Sequence, residues 1–392
     1  MKNFKTIMLS AFVALFAFSS CSSSNDDLPE TGGKDLSVNI KLSHATTRAV
    51  GEHVDNDEIT FNEGQLLFTN GDIVTKFVTI VTSSPTGDEV ALSELENGKK
   101  FENVPGSSTH VHFVGNPVTL VTVPTNIKDY TEQAVPVESQ YDATDGGVKK
   151  VTLYGKGAIN AITPGNPTTE YQSIFDVSAI ASRIEIGTIK GEGQLKSFKV
   201  EGIFVNNYYN TMELAGVVSD KKSNDSDPEN YKSTADSGTG SYDSTVDEAI
   251  YDYDANGIGF FASNKLVCHP KDPANADNNV WGYNLLAETA TPATTEMIGI
   301  VIRISDVKLT GDDSSTYSGT HFLSINKFFN TDDSGANTTG IDKLEPGHVY
   351  RIKELKFDEK NLTPKPNQKP IKVNVDVTML DWTSKEIGYD FD

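Results

Sequence analysis

"LSVNIKLSHATTRAVGEH", residues 36–53, decides how the chain is read. Leu36, Val38, Ile40 and Leu42 alternate with Ser37, Asn39 and Lys41. This period of two marks a β-strand with one buried face. A polar link follows, and it carries one arginine, Arg48. A well-formed strand therefore stands at the front of the fold, joined to the rest through a stretch that looks cleavable.

The chain has four arginines, Arg48, Arg183, Arg303 and Arg351. Three lie in strand-like runs ("ASRIEI", "GIVIRIS", "HVYRIKEL"), where paired backbone resists proteases. Polar links are the usual nicking sites. An arginine-specific protease would thus have one easy target and would free Ala49 onward. Burying Leu36, Val38, Ile40 and Leu42 is worth roughly 6–12 kcal/mol in all. Losing that strand would leave an apolar groove with unpaired sheet edges, which calls for a replacement strand.

The C-terminal stretch "IKVNVDVTMLDWTSKEIGYDFD" offers candidates. Ile371, Val373, Val375, Val377 and Met379 alternate strictly, and Ile387, Tyr389 and Phe391 resume the pattern. Two ordinary terminal strands would look the same. A donor strand from one copy filling the groove of the next would be a head-to-tail contact that repeats without closing, and so makes a filament.

The first 20 residues are expected to be an export signal. Lys2 and Lys5 precede an apolar run at 7–18 that is short for a membrane span. "FSSC" then ends on Cys21 and resembles the lipobox of bacterial lipoproteins, which implies lipidation of that cysteine. Residues 21–48 read as an acidic tether plus the temporary strand. The remainder divides into domains at 49–187 and 188–392. At 392 residues, two domains are a reasonable prior. The net charge of −22 argues against nucleic acid or anionic lipid headgroups as partners. Two cysteines, Cys21 and Cys268, do not make a disulfide framework.

Short β-rich runs separated by turn residues predict a mainly β protein of sandwich type. Strands are expected near 58–61, 65–68, 77–81, 110–114, 148–154 and 174–177, then at 184–186. Further strands are expected near 195–206, 258–261, 297–304, 321–325, 349–357, 371–379 and 386–391, with one short helix near 126–135. Residues 219–257 read as a long polar surface loop.

Candidate chemistry is thin. "DYDANG" places Asp252, Asp254 and Asn256 in the opening pattern of a calcium loop, but its twelfth position is Ser263 rather than a glutamate. A turn is the simpler reading. "HVH" sets His110 and His112 on one strand face, a spacing compatible with a metal, but no third ligand is evident. Nucleophile signatures and phosphate loops are absent. No enzyme activity and no cofactor are expected.

In order along the chain, the lipobox at Cys21, the strand-then-arginine, "HVHFVGNP", "VSAIASRIEI", "LKSFKVEGIFVNN", "PGHVYRIKELKFDEKNLTPKP" and "VNVDVTMLDW" are similar to the fimbrillins, the subunits of type V pili of Bacteroidales. The resemblance implies two β-rich, transthyretin-like (Greek-key sandwich) domains. It implies passage through the outer membrane as a lipid-anchored precursor and cleavage after Arg48 by a gingipain-like arginine protease. Other copies and related pilus subunits would be the partners in a surface fimbrium that supports adhesion. A cleavable arginine together with an alternating C-terminus suits a stalk subunit. The competing reading is a monomeric surface lipoprotein binding glycans or host proteins, through an aromatic platform drawn from Trp281, Tyr208, Tyr209, Tyr251 and Tyr253.

Overall fold

The computed structural model describes residues 33–42, 61–140, 151–162, 170–222, 228, 231, 250–261, 281–287, 298–331 and 337–379. The first half contains β1 (Gly33–Leu42), β2 (Glu63–Asn70), β3 (Ile73–Val81), β4 (Val90–Ala91), β5 (Lys99–Pro105), β6 (His110–Gly115), β7 (Ala134–Pro136), β8 (Leu153–Ala158), β9 (Asn160–Ala161) and β10 (Tyr171–Ala179). The second contains β11 (Ala181–Gly191), β12 (Leu195–Asn206), β13 (Tyr208–Glu213), β14 (Val218–Lys222), β15 (Ile250–Phe261), β16 (Trp281–Leu286), β17 (Gly299–Leu309), β18 (Asp312–Tyr317), β19 (His321–Thr331), β20 (Asn337–Ile341), β21 (His348–Phe357) and β22 (Ile371–Met379). Two short helices, α1 (Leu92–Glu96) and α2 (Lys128–Thr131), complete the described elements used below. The protein is mainly β, as its alternating runs require.

One large sheet runs β4-β3-β2-β6-β8-β10-β1-β5 and the other β15-β12-β17-β19-β22-β21-β11-β16. Each folds back on itself. Phe68 of β2 packs edge-on against Phe101 of β5 at 5.3 Å between ring centroids, although several strands separate them in the sheet. Phe198 of β12 meets Phe357 of β21 at 5.0 Å in the same way. Opposed inner faces of this kind make a sandwich core.

With β22 set aside, the two sheets have the same strand order. β3-β2-β6-β8-β10-β1-β5 corresponds to β15-β12-β17-β19-β21-β11-β16. Orientations agree too: β1 is parallel to β10 and antiparallel to β5, while β11 is parallel to β21 and antiparallel to β16. In the first sheet β8 and β10 pair directly, at Gly155↔Val177 to Leu153↔Ala179. In the second sheet β22 is wedged between the equivalent strands, parallel to β19 and antiparallel to β21.

The halves are stitched together. β7 pairs with β13, Val135 opposite Met212, in a small sheet completed by β14. A common apolar cluster joins Leu67, Tyr130 and Val135 to Ile180, Met212 and Leu285. A buried polar chain crosses the same junction. The Asn284 amide donates to the Gln140 carbonyl at 2.6 Å, and Arg183 Nη1 donates to Asn284 Oδ1 at 3.0 Å. Arg183 Nε then donates to Glu185 at 2.8 Å, and Arg351 Nε to the same carboxylate at 2.6 Å. Burial alone would raise the Glu185 carboxyl, but the two guanidiniums outweigh it and hold it below the usual carboxylate range. The Arg183 guanidinium lies over Gly282, where a Cβ would collide with Nη2. Only glycine leaves room for it.

Several sequence expectations differ from the structure. The strand expected at 148–154 is set later, as β8. Of the run expected at 58–61, only Phe61 is described, and it is not strand. β11 does not stop at Gly187 but runs on to Gly191 beside β21. The polar insertion is shorter than 219–257, because β14 takes its first residues and β15 its last. Within it Tyr231 is buried between Phe204 and Phe322, with its hydroxyl accepting from Asn206 at 2.6 Å. An aromatic residue in a polar run carries little periodic signal, so this anchor was not legible.

Replacing Glu185 by leucine leaves two guanidiniums in the junction without their shared carboxylate. The expected loss is roughly 3–5 kcal/mol, read as a lowered urea midpoint by circular dichroism. Because the halves share a core, the variant should still unfold in one transition.

Candidate assembly site

The candidate site is the slot that β1 fills. On one side Leu36 to Leu42 run parallel to Tyr171 to Val177 of β10. On the other, Gly33, Lys34, Leu36, Ser37 and Val38 pair antiparallel with Pro105 back to Lys99 of β5. Leu36 and Val38 are fully buried, in a cluster with Phe68, Leu95, Phe101, Val104 and Phe175. Their burial contributes about 3–6 kcal/mol, to which the two ladders add. Ile40 and Leu42 stand in register on β10 opposite Phe175 and Val177.

Polar contacts hold the strand at its flanks. Lys34 Nζ donates to the carbonyls of Ser108 at 2.6 Å and Gly106 at 3.0 Å and lies 4.8 Å from the centroid of the Tyr171 ring. Burial lowers its pKa. Asn39 donates to the Glu96 carbonyl at the end of α1, at 3.1 Å.

Sequence reading missed β5, the second wall of the slot. Its buried residues, Phe101 and Val104, are three apart rather than two. The reason is a bulge: Asn103 has φ 54°, and the register gains one residue on β5 between Phe101 and Val104. The bulge presses on β1 so closely that a Cβ at Gly33 would lie 2.8 Å from Asn103 Cα. Gly33 is thus fitted to this wall.

Of the proposed donor residues, Ile371, Val373, Val375, Val377 and Met379 form β22. Val373 and Val375 are buried in the shared core. Ile371 to Val375 register on β19, and Asp376 to Met379 on β21. β22 thus crosses from one neighbour to the other, whereas Leu36 to Val38 are paired on both sides at once. Cys21, Arg48, Ala49, Ile387, Tyr389 and Phe391 lie outside the described residues.

The other arginines are in strands and paired. Arg183 is fully buried, Arg351 shares Glu185, and Arg303 Nε donates to Glu201 at 2.6 Å. Arg303 also donates to the Tyr231 carbonyl at 3.1 Å. The connection between β1 and β2, residues 43–62, carries Arg48.

Asp252, Asp254 and Asn256 fall within β15, not in a calcium loop or a simple turn. Tyr253 pairs with Gly202 and Ile258 with Val200, so residues 254–257 bulge opposite Glu201. A calcium loop of the expected kind needs flanking helices, and strand pairing excludes them here. His110 and His112 do share a face of β6, with rings 6.5 Å apart. Among the described residues no group of three metal-ligating side chains comes together. His112 Nδ1 instead meets the Tyr154 hydroxyl at 2.9 Å. Of the aromatic platform, Tyr208 is in the core and Tyr209 is half-buried near Lys221. The side chains of Trp281, Tyr251 and Tyr253 lie outside the described set.

No family model matches the chain. No curated protein matches it either. Solved structures do. The chain is similar in fold to a fimbrilin from Porphyromonas gingivalis W83. That likeness has 14% identity and TM-score 0.49, and covers 90% of this chain and 98% of that one. A candidate cell adhesion protein from Bacteroides eggerthii is 16% identical with TM-score 0.46, over 91% and 98% of the two chains. A C-terminally truncated tip fimbrial protein from Porphyromonas gingivalis is 11% identical with TM-score 0.40, over 89% and 99%.

Burial, then Lys156 and His110, pull the His112 imidazole down to about 4. The folded protein holds this ring neutral, while an unfolded histidine protonates near 6.5. Stability is therefore complete above about pH 6.5 and falls as pH drops toward 4, by up to about 3 kcal/mol from this group. His112→Gln, which keeps a partner for Tyr154, should flatten that part of the pH profile in urea titrations. An unchanged slope between pH 6.5 and 4 would contradict it.

Proposed function

We propose that the chain is a polymerising stalk subunit of a surface fimbria, exported as a lipoprotein through Cys21 and cleaved after Arg48. A neighbour's C-terminal segment then fills the slot vacated by β1. The observation that carries this reading is the place of β1. It is an interior strand joined to β2 through the connection that carries Arg48, and among the described strands β5 has its backbone ladder with it alone. An ordinary leading strand at a sheet edge would leave an intact sheet behind. Loss of this one splits a sheet and opens an apolar trench.

Such a trench suits strand addition. Main-chain ladders on both walls supply affinity, and alternate pockets beneath Leu36 and Val38 select the side chains. β22 and residues 387–391 have the alternation an occupant needs. The second half, from β11 onward, is then the one that ends in the donor, and the lipid-anchored precursor at the outer membrane is the stage before assembly. Arg183, Arg303 and Arg351, fastened in strands, leave an arginine-specific protease the connection at Arg48. The platform of the monomeric alternative loses Tyr208 to the core.

Arg48→Ala should leave lipid-anchored monomer and abolish surface polymers on immunoblots of unheated samples, while the variant melts like the wild type. Normal ladders from that variant would refute the stalk reading. Deleting residues 384–392 should permit folding and secretion but stop chain growth. If ladders persist, the donor is β22 itself.

A further inference from the structure

The ends of β1 and β22 converge on one short junction. β10 stops at Ala179 and β11 starts at Ala181, with only Ile180 between them. Leu42, the last residue of β1, stands opposite Val177. From the other half, the Gly347 amide donates to the Ala181 carbonyl at 2.8 Å, and a Cβ on Gly347 would touch Ser178 at 3.4 Å. β21 begins at the next residue. Its first four residues, His348 to Arg351, pair with Met379 back to Asp376, the last four of β22.

Val349 makes the connection physical. It lies in β21, in register with Thr378 of β22, yet its side chain belongs to the first half's core with Leu36, Val38, Val177 and Ala181. Removing β1 leaves a void in that cluster, and the apolar groups around a void lose packing contacts. Further along β21, Arg351 stays fastened to Glu185. Along β21, the loosening is thus bounded to the residues that hold the end of β22.

The repeat supplies the second state. The equivalents of β19 and β21 are β8 and β10, which pair antiparallel with nothing between them. The same architecture therefore exists with the gap open and with it closed. A coupling between two sites needs such a bistable element.

We propose that occupancy of the β1 slot gates β22: while β1 is in place β22 is held between β19 and β21, and once β1 leaves β22 is released as β19 and β21 close together. This rests on the assembly reading above and adds its order of events. A subunit becomes a donor only after it has become an acceptor, so uncleaved precursors do not extend one another.

The test is hydrogen–deuterium exchange on the purified full-length subunit, dilute enough to stay monomeric, before and after arginine-specific cleavage and removal of β1. Amides of residues 373–379 should exchange at least tenfold faster after removal, while β12, β17 and residues 325–330 of β19 keep their protection. Unchanged β22 exchange overturns the proposal, as does an equal rise in β12 and β17, which is general unfolding. Loss of protection in β19 overturns the closing of the gap. Val349→Ala, with β1 still attached and protected, should raise exchange at residues 376–379 severalfold; no change there also overturns it. Polymer formation is scored separately. Ladders with unaltered β22 exchange refute the gate and keep the stalk reading, whereas a loosened β22 without ladders does the reverse.

Discussion

The first half of the molecule depends on one insertion: β1 lies inside a sheet to which no neighbouring element ties it covalently at short range. The backbone ladder of β5 is made with it, and the core beneath Leu36 and Val38 is closed by it. A central strand of this kind is stabilised from three directions, by two ladders and by apolar burial. In the second half the equivalent strand, β11, is secured differently, by the short turn at Gly193 that leads straight into β12. The same architectural position is thus filled by a strand on a three-residue tether in one half and by one on a twenty-residue tether in the other.

The junction between halves is built from several kinds of contact. A ladder between β7 and β13, a common apolar cluster and the Gln140–Asn284–Arg183–Glu185–Arg351 chain all cross it. Buried ion pairs are weak contributors to net stability, but removing one member is costly. Their value here is positional, since a guanidinium lying over Gly282 admits one arrangement of β11 against β16.

Much of this was legible in the sequence. Strict alternation located β1 and β22, and the Leu195–Asn206 strand was bounded correctly, because strands half-buried on a core advertise their period. What escaped notice has a physical cause in each case. β5 hides its period behind the Asn103 bulge. The repeat of strand order is a property of pairing, and pairing partners such as β1 and β10 are more than a hundred residues apart. The junction network uses Arg183, Glu185 and Asn284, which look like ordinary solvent-facing residues until the halves meet. The Asp252–Gly257 stretch reads as a turn for a related reason: a bulged strand uses the same small and polar residues as a turn.

The near-continuity of β10 and β11 also has a mechanical meaning. With one residue between them, a single stretch of chain passes through both sandwiches, with β1 parallel to it in the first and β21 parallel to it in the second. A pull along that direction loads the flanking ladders in shear, so many hydrogen bonds must yield together rather than one after another. The covalent backbone, together with the surface between the halves, then carries tension from one end of the molecule to the other.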